Sequence, residues 1–291
     1  MKRNQIYRII VTAATIIGMA AGLLGVRPVA ASRAFGPISI STCRAFTAAH
    51  VYMLTKSVGK SGNCMVIEAS NVVLNLNGFS LVGNGKFGHG VIILHGLTGV
   101  QVLNGQIRAW GTGVEDLGTG TRLQKLRIFN NTQFGVFLSG ATNSMVLNNS
   151  FPGNESVSLY ANGTTGATVS NNSITGSGRY GVWVRESSHF TVASNGVSQS
   201  GIVGIFVGCT KNGITKTLCG QPSTAGIITG NRIVLSTHLG IAIDTGNTHI
   251  HVSNNNVSLS GTFDLVDANP GCGTNTWAGD TFKTHNKACA A

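Results

Sequence analysis

The sequence predicts an all-β, single-domain chain wound into a parallel β-helix, a solenoid of about eight to nine coils. Three observations predict it. A small-apolar-x-apolar signature recurs at Gly90-Val91, Gly113-Val114, Gly135-Val136, Ser156-Val157, Gly181-Val182, Gly204-Ile205 and Gly240-Ile241. Its steps are 23, 22, 21, 25, 23 and 36 residues, and a period of that size carried along most of a chain marks a solenoid. Within the units apolar residues alternate, as in Val136/Leu138, Val157/Leu159 and Val182/Val184, which is the two-residue period of a strand. Between them lie clusters such as "TGSGR" and "SNNN", whose Gly, Asn and Ser make bends. Leucine-rich repeats of similar length are disfavoured, because Val, Ile and Gly stand where a leucine lattice would be.

Residues 1–31 combine a basic start, an apolar run from Ile9 to Val26 and the small-residue site Val29-Ala30-Ala31. That pattern predicts a signal peptide cut before Ser32, hence a secreted or periplasmic protein that meets a membrane only if the segment stays uncleaved. Residues 32–63 are expected to cap the N-terminal end, 64–262 to form the coils and 263–291 to close the far end, since open coil ends expose unpaired edges. Asn149, Asn172, Asn195, Asn231 and Asn255 recur at similar places in successive turns. There an amide can satisfy backbone groups at a tight corner and bond its neighbour in the next coil. The step of 36 is one ordinary turn plus an insertion between Cys209 and Cys219.

Six cysteines fit an oxidising compartment and allow 15 connectivities. A solenoid keeps sequence-near residues near in space, so Cys43–Cys64, Cys209–Cys219 and Cys272–Cys289 are expected. No Cys-x-x-Cys spacing points to zinc. Lys and Arg number 20 against 9 Asp and Glu, a net +11; removing the four cations of residues 1–31 leaves 16 − 9 = +7. A basic exported protein matches acidic glycans rather than nucleic acid.

The stretches "GNCMVIEASNVVLNLNGFSLVGNG" and "GVIILHGLTGVQVLNGQIRAWGTGV" resemble the opening of bacterial right-handed parallel β-helix repeat proteins of the pectate-lyase-like superfamily, and "NPGCGTNTWAGDTFKTHNKACA" resembles their ending. The resemblance implies a right-handed winding; a scaffold of this kind does not by itself supply a function.

Gly83-Asn84-Gly85-Lys86-Phe87-Gly88 matches a dinucleotide fingerprint, but no helix follows it, so it reads as a turn between coils. Gly88-His89-Gly90 resembles a catalytic signature of the polygalacturonases, yet the paired aspartate motifs that precede it in that family are missing; the first acid is Glu68. Glu115, Asp116, Glu155, Glu186 and Asp244 fall on different turns, so no calcium cage, and no other metal or cofactor, is expected. His249 and His251 share a strand face without an apparent third ligand.

With Val136, Val157, Val182, Ile205 and Ile241 inward, the next outward positions read Phe137, Ser158, Trp183, Phe206 and Ala242. Two residues further on come Ser139, Tyr160, Arg185, Gly208 and Asp244. Rings interspersed with an arginine point to a platform on which sugars stack. Phe137, Trp183 and Phe206, with Glu115, Asp244 and the loop lysines Lys211 and Lys216, are the expected substrate-binding residues. Tyr160 and Arg185 are the expected catalytic pair: the guanidinium steadies a uronate carboxylate, and the phenol, its pKa lowered by that guanidinium, takes the C5 proton. At Asp116, where other turns place an inward apolar residue, a bulge is expected that lets Leu117 fill the core. The expected function is an exported, monomeric protein that engages a polysaccharide, an acidic one, as a lyase or epimerase; the alternative is a non-catalytic carbohydrate-binding or structural rod.

Overall fold

The computed structural model describes residues 36–209 and 220–290. The signal segment, Lys211, Lys216 and Cys219 lie outside the described residues. No described helix is long and apolar enough to cross a membrane.

The chain is a parallel β-solenoid. A ten-stranded sheet receives one strand from each coil: Arg44–Phe46, Met65–Ile67, His89–Ile93, Thr112–Asp116, Phe134–Ser139, Val157–Asn162, Tyr180–Arg185, Val203–Val207, Leu239–Ile243 and Phe263–Asp267. The other strands form a continuous eighteen-stranded sheet that wraps the remaining sides. Strands in both sheets pair parallel with the coil before and after. The ladder reaches into both end segments, from Ile38–Ile40 to Thr276–Ala278, which gives ten coils where the signature indicated about eight to nine. The first two coils escape the signature because Cys43 and Cys64 occupy the place of its glycine: Arg44 pairs with Met65, and Met65 with Val91. These two cysteines form a disulfide, as do Cys272 and Cys289.

The register explains the glycine. In the ten-stranded sheet Phe134 pairs with Val157 and Val136 with Leu159, while Gly135 and Ser158 between them are left out of the pairing. Both face inward beside an inward apolar residue. A Cβ on Gly135 would stand 2.5 Å from the Ser158 carbonyl oxygen and 2.9 Å from Asn154 Nδ2, so a side chain there needs its own accommodation. Ser158 has it, a 2.7 Å hydroxyl contact with Ser177. This corrects the sequence alignment at one coil. The unit begins at Ser158-Leu159, not Ser156-Val157, and steps of 21 and 25 become 23 and 23 between Val136, Leu159 and Val182.

The interior is a column of Val, Ile and Leu, with Trp110, Phe151 and Phe190 as its large members, all 0–1% exposed. Each fully buried side chain of this kind contributes about 1.5–3 kcal/mol. At one corner the asparagines form a ladder: the backbone N–H and Nδ2 of Asn172 both donate to Asn195 Oδ1, at 3.0 and 2.9 Å. The same pair of bonds links Asn149 to Asn172, Asn195 to Asn231, Asn231 to Asn255 and Asn255 to Asp280.

Asp116 does not bulge. It stays in register between Ile93 and Leu138, facing inward at 0% exposure. The corner just beyond supplies partners for its carboxylate: Gly118 N–H at 2.9 Å, Thr121 Oγ1 at 2.8 Å and Ser144 Oγ at 2.6 Å. Burial raises its pKa, which these bonds lower in part.

Candidate functional site

The outer face of the ten-stranded sheet carries two neighbouring columns. One runs Glu115, Phe137, Tyr160, Trp183, Phe206, Ala242 and Val266; the other Thr112, Phe134, Val157, Tyr180, Val203, Leu239 and Phe263. The corrected register therefore moves Tyr160 out of the arginine column and into the aromatic one, where it replaces Ser158. Arg185 pairs instead with Asn162.

Strands repeat about every 4.8 Å, close to the thickness of stacked rings, so consecutive aromatics lie on one another. Phe137 and Tyr160 stack at 5.1 Å with planes 8° apart, Tyr160 and Trp183 at 4.5 Å and 28°. Phe134 lies 5.2 Å from Tyr160, and Tyr180 lies 5.5 Å from Phe206. The stack consumes the ring faces and leaves edges outward, which corrects the expectation of a face-on sugar platform. Phe134, Phe137 and Trp183 are half-buried, whereas Tyr160 is 7% exposed and Tyr180 and Phe206 are sealed. Phe206 is closed off by the approach of Gly208, where a Cβ would stand 2.8 Å from its ring. The Trp183 indole donates to the Gly208 carbonyl at 2.7 Å, which fixes its orientation.

Polar groups edge this ladder. Arg185 pairs with Glu186 at 3.3 Å, and Glu186 also accepts the Gly220 N–H at 3.0 Å. Tyr160 and Arg185 are not column neighbours, yet they lie across the diagonal, where the guanidinium charge acts on the phenol. Burial raises the Tyr160 pKa more than Arg185 lowers it. The phenol is consequently protonated at neutral pH, and the expectation of a lowered pKa is overturned because ring stacking withdraws Tyr160 from water. At the other end Glu115 is engaged by His89 Nε2 at 3.0 Å, and His89 Nδ1 lies 3.0 Å from Asn63 Oδ1. Asp244 is 5% exposed and accepts the Thr245 N–H at 2.9 Å, on the sealed part of the face. His251 is held 2.7 Å from Thr276 Oγ1. Among the described residues no three His, Cys, Asp or Glu side chains converge as a metal set.

Sequence reasoning missed Phe134, Tyr180 and Asn162 as members of this face. The signal was available: each sits a fixed distance from an inward apolar residue once Ser158 is given the place of glycine.

A family model described as "right handed beta helix region" matches residues 89–288. The chain belongs to that family. No curated protein matches this β-helix by sequence. Similar solved structures include a mutant of the periplasmic alginate epimerase AlgG, with TM-score 0.54, 13% identity and 76% of this chain covering 63% of that one. DFA-IIIase from Arthrobacter chlorophenolicus without its lid gives 0.55 at 14% identity, 78% of this chain on 66% of that one. Endopolygalacturonase I from Stereum purpureum, complexed with two galacturonate, gives 0.53 at 10% identity, 86% on 91%. At these identities the likeness is one of fold. The β-helix spans 63% of the epimerase and 66% of the DFA-IIIase, under two thirds of each.

Proposed function

We propose that the chain is an exported β-helix that binds an acidic polysaccharide along the ring ladder of its ten-stranded sheet. The observation that carries this reading is the run Phe137, Tyr160 and Trp183, half open at its first and last rings and edged by Arg185. Aromatic edges hold the positive part of the ring quadrupole. An edge-on ladder beside a guanidinium therefore favours oxygen-rich, anionic sugars over the apolar faces of neutral ones. The indole is already fixed by Gly208, so little ordering entropy is lost on binding. Likeness in fold to proteins named for alginate and polygalacturonate supports the same ligand class, and so does the basic balance, 16 − 9 = +7 without residues 1–31. One chain carries the whole ledge, so a monomer suffices.

The contact between Tyr160 and Arg185 favours a second reading, a uronate lyase or epimerase. In that case the guanidinium would hold the sugar carboxylate, the protonated phenol would supply the proton that the product or leaving oxygen gains, and a group other than Tyr160 would take the C5 proton.

Calorimetric titration of the mature protein with oligogalacturonates and alginate fragments tests both. Trp183→Ala and Arg185→Gln are each expected to weaken binding by about tenfold or more while the fold melts as before. Wild-type affinity in both variants would dismiss the ledge. Unsaturated products or epimerised residues formed by wild type and lost in Tyr160→Phe would select the second reading.

A further inference from the structure

The chain's nine carboxylates are Glu68, Glu115, Asp116, Glu155, Glu186, Asp244, Asp264, Asp267 and Asp280. None of them lies in any strand of the eighteen-stranded sheet. That sheet carries cations instead, and four are gathered on two adjacent strands: Arg108 on Gln101–Arg108, and Arg122, Lys125 and Arg127 on Arg122–Phe129.

Their placement is local and ordered. Arg127 and Phe129 are outward neighbours on one strand, and the guanidinium carbon of Arg127 stands 3.9 Å from the Phe129 ring centroid. Phe129 pairs across the ladder with Arg108, which puts a second arginine beside it on the next strand. Lys125 is exposed at the corner with φ 55°, the place that Asn148 and Asn171 take in the next two coils. The register continues from Arg108 through Val82 to Gly59, beside Lys60, which with Lys56 lines a cavity of about 400 Å³. Among the described residues the ion pairs are His89–Glu115 and Arg185–Glu186, and none of these cations takes part in either.

We infer that this face is a second binding surface, separate from the ring ladder, and that its ligand is a polyanionic polysaccharide bearing carboxylate or sulfate groups. Guanidinium forks bind carboxylate and sulfate groups in two-pronged fashion, and here they stand close together on two neighbouring coils. With no carboxylate among the strands to neutralise it, the field of the patch adds up over several coils. Two disulfides fit an oxidising compartment, where acidic glycans rather than nucleic acids are the polymers to be met. The aromatic at its centre, Phe129, lies half-buried under Arg127 and presents no wedge to a bilayer. The surface would hold the β-helix on a charged matrix while the ladder on the other sheet engages its own chain.

The protein's own later coils supply a test that spares the fold. Arg127 pairs with Ser150, which pairs with Ser173, so Arg127→Ser repeats residues already tolerated there. Lys125→Asn likewise restores the usual corner residue, and Arg108→Ser completes a triple variant. Binding of the mature protein to immobilised polygalacturonate and to dextran sulfate is measured from low salt to about 0.5 M, where the Debye length shrinks to a few ångströms. The expected result is salt-sensitive binding by wild type, weakened about tenfold or more in the triple variant. Equal binding by wild type and triple variant, or no salt-sensitive binding by wild type to either polymer, overturns the inference. So does tighter binding to duplex DNA or to phosphatidylglycerol vesicles than to the two polysaccharides. Loss in Trp183→Ala alone would leave the ladder reading standing without this surface.

Discussion

Tyr160 lies against Trp183 with ring centroids 4.5 Å apart, while its phenol feels the positive charge of Arg185 on the same strand as that tryptophan. One side chain thus ties the apolar stack to its polar edge. Burial lifts the phenol above its ordinary 10.0, so the folded chain holds this proton more tightly than the unfolded chain. The associated stability is complete below about pH 10 and declines as pH rises through the folded value. Tyr160→Phe should flatten that alkaline decline and leave melting at neutral pH within a few degrees of wild type. Alkaline melting curves check it; an unaltered decline would place the proton elsewhere.

Asp116 makes the same argument at acid pH. Its raised pKa means that stability is greatest below the ordinary 3.8 and decreases as pH rises toward the folded value. Asp116→Asn keeps an oxygen for Gly118 and Thr121 and offers Ser144 a donor, so at pH 7 it should match or exceed wild type. Asp116→Leu imitates Ile93 and Leu138 in the same column but strands three donors, and should cost about 1–3 kcal/mol or more. Urea denaturation of both variants orders them.

Asn195→Ala should be among the most damaging single changes. It removes the acceptor for two donors of Asn172 and the donor to the Val169 carbonyl, all buried. Two or more unsatisfied groups cost about 2–5 kcal/mol together. Circular-dichroism melting of this variant beside an exposed control such as Ser173→Ala gives the comparison.

Asp280→Asn should act in the opposite direction. Asp280 closes the asparagine ladder by accepting two bonds from Asn255, yet burial raises its pKa and its Oδ2 has no partner. An amide there keeps the acceptor and removes the charge. A rise in melting temperature at pH 7 that vanishes below about pH 4 is expected; lower stability at both pH values would show the charge to be favourable.

Cys272–Cys289 joins residues 17 apart in sequence at the last coil, a closure worth about 3 kcal/mol in the chain-entropy account. The double Cys→Ser variant should release the end locally, seen as faster amide exchange at Trp277 and Phe263 while Val182 stays protected.

Much of this fold was readable because its information is periodic. The two-residue alternation and the glycine step come from backbone sterics that repeat in every coil, so Gly135, Gly181 and Gly204 announce themselves. The misreading fell where one coil solves the same steric problem with different chemistry: Ser158 replaces glycine through its bond to Ser177, and the register of Tyr160 moved by two residues with it. Asp116 was misjudged for a related reason, since its partners Thr121 and Ser144 lie around a corner and on the next coil. The site was less legible still. The aromatic residues could be counted from the sequence, but whether rings offer faces or edges depends on the coil spacing, and the pKa of Tyr160 depends on that stacking.

Between Asn149 and Asn195 the backbone returns to equivalent bonds every 23 residues. Excising residues 150–172 would bring Asn149 onto Asn195 and Phe137 onto Trp183, with Ile174 in the place of Phe151 and no break in either sheet's pairing. The molecule's length is thus a tally of interchangeable units, each adding about 4.8 Å of rod and one rung of side chains. Lineages can lengthen or shorten the reach of such a surface by whole rungs, through duplication or loss in the reading frame, without inventing a new fold for each size of ligand.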